Sequence, residues 1–168
     1  MEISAVIRRG DLVALNFYLF PRLRANWIFF ALLAAGIFTV ILITREPSNA
    51  LAVGVAIMAA LVGALAGSIV GMLVGLITML SMLGKNSGVL GVHHYTLSTV
   101  GLGERTDANE SLLKWSGIHS ITKLQNYLFF RINGYLFHIV PRRSFHTTEA
   151  FNSFYERAVE YRRNVTPQ

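Results

Sequence analysis

Hydrophobic and polar positions divide this chain into three textures. Residues 1–24 are mixed. Met1–Ile7 is short and rich in β-branched residues, which suit a strand, and from Asp11 an apolar run continues to Phe20, where Pro21 interrupts it. Asp11 reads as the N-cap of a juxtamembrane helix. Residues 25–84 are almost wholly apolar. Ala25–Thr44 carries twenty uncharged residues, and Pro47–Gly84 adds thirty-eight without one charge. About twenty apolar residues cross a hydrocarbon core of about 30 Å, so both runs are long enough to span one. The only polar break between them is Arg45-Glu46-Pro47-Ser48-Asn49. A break that short predicts an antiparallel hairpin of two transmembrane helices, at about residues 25–44 and 49–82. At about 1.5 Å per residue the second run exceeds the bilayer, so it must tilt, protrude or break.

Residues 85–168 alternate instead. Val89–Val100, Leu112–Trp115, Ile118–Leu124, Tyr127–Ile132 and Tyr135–Val140 are β-branched and aromatic runs, with an Asn133-Gly134 turn signal before the last. Glu104, Asp107 and Glu110 fall between the first two runs and read as a solvated loop. Pro141 closes the last strand. Thr147 then caps a helix over 147–163, on which Phe151, Phe154, Tyr155, Ala158 and Tyr161 share a face while Glu156, Arg157, Glu160 and Arg162 point to water. Strands followed by one amphipathic helix predict a small antiparallel β-barrel or roll closed by the helix, and the whole chain reads as an α+β membrane protein. Gly84-Lys85-Asn86-Ser87-Gly88 lacks the strand and spacing of a phosphate loop and reads as a hinge.

Composition sharpens the compartment. Of 168 residues 53% are hydrophobic and only 14% charged, and the mean hydropathy of +0.48 is high for a soluble domain of this size. A signal peptide is the competing reading of the first apolar run. That run is too long for a signal core of about 7–15 residues, and its leader already holds another apolar segment. Arg8, Arg9, Arg22 and Arg24 precede the first span, against Arg45 in the turn. The positive-inside rule therefore puts both termini in the cytoplasm. The net charge of +6 contains no Lys/Arg run of the kind that binds nucleic acid, so none is expected.

Small residues four apart mark the second span: Ala59, Gly63, Gly67, Gly71 and Gly75. Such a ladder, a glycine zipper, lets helices approach closely, either within the hairpin or between copies in a homo-oligomer, and a pore-lining face is the third reading.

Several short motifs carry a resemblance. Tyr95–Leu102 (YTLSTVGL), Leu113–Ile118 (LKWSGI) with Trp115, Asn126–Phe130 (NYLFF), and His138–Phe145 with Pro141-Arg142-Arg143-Ser144-Phe145 are similar to the YcxB-like family. The resemblance implies a bacterial inner-membrane protein with two membrane helices and a C-terminal domain like the pleckstrin-homology (PH) fold. It brings no catalytic residues.

Chemistry is sparse. The absence of cysteine removes thiol chemistry and disulfides. His93 and His94 are adjacent, so on a strand they point to opposite faces, and His119, His138 and His146 lie on separate elements without ligand spacing. No enzyme, metal or cofactor signature is present. Trp115 reads as core. Lys114, Lys123, Arg131, Arg142 and Arg143 are the candidate contacts to anionic lipid or a protein partner beside the bilayer. The expected function is a membrane-anchored binding or scaffold module. An immunity protein against a membrane-targeted toxin is the alternative. Finally, Ile3, Val6 and Ile7 are too few for a lone strand, so residues 2–8 are expected to add a strand to the C-terminal sheet.

Overall fold

The computed structural model describes residues 1–84, 88–134 and 136–165. The chain forms two units: Met1–Leu12 with Leu83–Gln168, and Val13–Met82. The residues before the hairpin thus divide, β1 (Glu2–Ile7) and the first turn of α1 (Arg9–Leu19) joining the C-terminal strands.

In the first unit β1, β2 (Gly91–Leu97), β3 (Gly101–Arg105) and β4 (Glu110–Lys114) make a four-stranded antiparallel sheet in chain order. The N-terminal strand pairs with β2 from Glu2↔Thr96 to Ile7↔Gly91, the addition its residues predict. Alternation fixes its face: Ala5 and Ile7 are buried, while Glu2, Ser4 and Val6 are exposed. A three-stranded sheet follows, from β5 (Ser120–Lys123), β6 (Tyr127–Arg131) and β7 (Phe137–Pro141). The two sheets do not close into a barrel, contrary to the expected barrel or roll. The predicted strand from Tyr135 begins at Phe137, and Tyr135 itself lies outside the described residues, as does most of the predicted hinge at 84–88.

The acidic loop expected around Glu104 is instead the hairpin of β3 and β4. Gly101 permits it, since a Cβ there would lie 2.2 Å from the Leu113 carbonyl oxygen across the pair. Trp115 sits in a 3-10 turn (Trp115–Gly117), wholly buried, its indole N–H donating to the Ser98 carbonyl at 2.9 Å. Helix α4 (Thr148–Val165) is capped by Thr147, whose hydroxyl accepts from Ala150 N–H at 3.1 Å. It buries Phe151, Phe154 and Ala158. Arg162 does not point to water: it donates to the carbonyls of Ile118 and His119.

The second unit is a pair of long apolar helices, α2 (Arg24–Arg45) and α3 (Ala50–Met82). Both are long and apolar enough to cross a bilayer. They run antiparallel, with Gly63 against Ile37 and Gly67 against Leu33. Glu46 takes the left-handed conformation at the end of α2, and Asn49 accepts from Ala52 N–H to start the next helix. Helix α3 runs its 33 residues unbroken. Its buried stripe is Ala56, Ala60, Ala64 and Ser68, one residue round from the glycines. Before α2, a 3-10 turn (Phe20–Arg22) follows α1, held by Asn26 and Trp27 donating to the carbonyls of Phe20 and Pro21.

Candidate functional site

Ile3, Tyr95, Glu104 and Ser111 are successive cross-strand partners across β1 to β4, so they form one row on one face. That face is the inner one, because Tyr95 is buried. His93, two residues before Tyr95, shares it, and β7 contributes His138. Glu104 gathers these groups. His93 Nδ1 lies 2.8 Å from Oε1 and His138 Nδ1 3.1 Å from Oε2. The Tyr95 hydroxyl lies beside the same carboxylate and favours its ionised form. The His93 and Tyr95 rings stack at 6.0 Å, and His138 meets Tyr95 edge-on at 6.1 Å. Glu104 therefore bridges the two sheets through side chains.

Burial opposes the ionisation of Glu104. Hydrogen bonds from His138 and His93, the attraction of His138 and the Tyr95 hydroxyl outweigh it, and hold the carboxyl well below the usual carboxylate range. Burial, then the neighbouring Glu104 charge, pushes the Tyr95 hydroxyl well above the usual phenol range. Since both imidazoles offer Nδ1 to the carboxylate, each carries its proton there. His93 Nε2 is then left buried without a partner among the described residues.

A cleft of about 1000 Å³ opens over this row. Ile3, Tyr95 and Glu104 line it from the sheet, and Ser144, Phe145, His146, Ala150 and Phe154 line it from the turn before α4 and the helix itself.

A second network ties the N-terminal segment to the C-terminal strands. Asp11 is 1% exposed and takes a two-pronged contact from Arg143, at 2.7 Å to Oδ1 and 2.6 Å to Oδ2. Arg143 also donates to the Val6 carbonyl at 2.8 Å. Asp11 does not stand at the N-cap, since the helix begins at Arg9. As its third residue it reaches back to Arg8 N–H at 2.7 Å, one half of a capping box. Burial would raise the Asp11 pKa, but the hydrogen bonds from Arg143 and Arg8 N–H, the Arg143 charge and Tyr127 lower it below its ordinary value.

Residues 101–156 match the family model described as YcxB-like protein. Over that stretch, about a third of the chain, the protein is similar to the YcxB-like family. No curated protein and no solved structure matches the chain. The YcxB-like stretch runs from β3 into α4 and contains Glu104, Trp115, His138 and the Pro141–Phe145 motif; His93, Tyr95 and Asp11 lie outside it.

The motif has a structural account. Pro141 is buried at the end of β7, Arg142 bonds Thr148 at the start of α4, Arg143 holds Asp11, and Phe145 packs against Phe151 and Phe154, each at 5.3 Å. The remaining candidate contacts are dispersed. Lys123 lies 5.3 Å over the Tyr155 ring, Arg131 donates to the Asn133 carbonyl, and Lys114 is exposed at the end of β4. Four of these five cations thus have partners within the fold. In the glycine ladder, Gly63 and Gly67 face α2, whereas Ala59, Gly71 and Gly75 are exposed. Sequence reasoning missed Glu104, His93, Tyr95 and His138 as a group. The available signal was the two-residue spacing of His93 and Tyr95, but their partners come from β3 and β7.

Proposed function

We propose that this protein is a membrane-anchored binding module, and that the cleft over Tyr95 and Glu104 receives a protein partner. The observation that carries the reading is a cleft of about 1000 Å³ whose floor is a buried, fully organised polar group rather than a plain apolar surface. Four strands, then three, then a C-terminal helix follow the order of a PH-like domain, with the helical pair inserted between its first two strands. The helices α2 and α3 cross the bacterial inner membrane in this reading, since side chains such as Leu32, Ile43, Leu51 and Ile77 are exposed along them and suit lipid. The excess of arginine before α2 favours cytoplasmic termini. An anionic lipid is a weaker partner, because four of the five candidate cations are engaged internally.

Photo-crosslinking residues placed at Ser111 and His146, on opposite walls of the cleft, should yield a protein adduct in intact membranes, while one at Glu156 on the exposed face of α4 should not. Equal labelling at all three positions, or labelling of lipid alone, would remove the cleft from the function. Reporter fusions at Ser48 and after Gln168 should report opposite sides of the membrane.

A further inference from the structure

We propose that the cleft seats a lysine or arginine side chain of the partner, with the cation resting on Glu104. The proposal deepens the binding-module reading and rests on it. In the row that floors the cleft, Ile3–Tyr95–Glu104–Ser111, the Glu104 carboxylate is the sole formal charge. Glu2, Arg105 and Glu110 alternate off that row but also line the cleft. Its charged side chains are thus three carboxylates against one guanidinium, a balance that favours a cation. Glu104 is held by His93 at 2.8 Å and His138 at 3.1 Å, with the Tyr95 hydroxyl beside it. A carboxylate offers about four lone-pair positions, so a place remains for one more donor. A cationic donor there forms a charge-assisted bond in a site largely shielded from water.

The walls suit the stem of such a side chain. Phe145 lines the cleft half-buried, beside the buried Tyr95 and Phe154, and its ring can accept both the apolar methylenes and the cation at their tip. The volume is at the upper end of the range for ligand pockets, about 300–1,000 Å³, which leaves room for the residues either side of the cation. A phospholipid is the poorer fit, because the phosphate beside any headgroup amine would be brought close to the Glu104 carboxylate, which repels it.

The test uses the full chain in lipid nanodiscs and a displayed random-peptide library. Selected peptides should share one lysine or arginine among small or apolar neighbours. Their affinity, read by fluorescence anisotropy, should fall about tenfold in Glu104→Gln. It should fall similarly in Ser111→Arg, whose guanidinium takes the cation's place, and rise about threefold in Ser111→Glu. Ser111 is exposed, so its variants report on the cleft even if Glu104→Gln unfolds. Peptides that lose binding in Ser111→Arg yet share no basic residue would overturn the cation and leave the binding module standing. No peptide binding sensitive to the cleft would overturn both. Phosphoethanolamine competing as well as acetyl-lysine amide would reassign the site to a lipid headgroup and overturn the peptide.

Discussion

Two carboxylates, Asp11 and Glu104, organise the strand-bearing unit, and each is useful because it is buried with donors already in place. Asp11 is nearly inaccessible, so removing its guanidinium partner strands a charge. Arg143 is partly exposed, with 39% of its side chain accessible, which lets water soften the loss. Arg143→Ala should therefore destabilise the unit by about 2–3 kcal/mol in chemical denaturation, and Arg143→Lys should recover only part because it lacks the two-pronged fork. Both carboxyls titrate lower in the folded chain than in the unfolded one, where Asp and Glu titrate near pH 4. Their contribution is complete above that unfolded value and lost as pH falls through the folded ones. Melting temperatures in detergent should therefore drop on acidification below about pH 4, and Asp11→Asn with Glu104→Gln should flatten that limb while lowering stability at neutral pH.

At the scale of elements, the long helix α3 presents two small-residue stripes that do different things. Ala56, Ala60, Ala64 and Ser68 are buried, flanked by Gly63 and Gly67 against α2. A Cβ at Gly67 would already lie 2.8 Å from the end of Leu33, whereas one at Gly71 meets nothing within 4 Å. Gly67→Ile should consequently force the helices apart and lower thermal stability in detergent, by about 1–3 kcal/mol for an overpacked contact. Gly71→Ile should leave the helix pair intact. If Gly71→Ile instead changes the oligomer size, the open end of the ladder serves contact between copies. The stripe escaped a reading keyed to glycine because alanine is common on any apolar helix.

For the whole molecule, the consequential feature is that strand β1 precedes the helical pair and pairs with the strand that follows it. The helices are an insertion within one folded unit. Deleting residues 2–8 should expose the edge of β2, and hydrogen exchange at Gly91–Leu97 should accelerate. Unchanged exchange there would mean that β1 contributes nothing to the sheet.

Local chemistry was legible without the fold. The apolar runs announced α2 and α3, Thr147 announced the start of α4, the β-branched N-terminus announced a strand in search of an edge, and the motifs of residues 95–145 announced the YcxB-like segment. These depend on neighbours within a turn or on alternation along one strand, and both are written in consecutive residues. Tertiary structure alone decided the rest. It left the two sheets unclosed, turned an acidic loop into β3 and β4, and spent Arg143 on Asp11, 132 positions away. It also brought His93 and Tyr95 of β2 to Glu104 of β3 and His138 of β7. A charge reads as solvated along the chain because water is its default partner. Only packing shows that a buried donor has replaced the water.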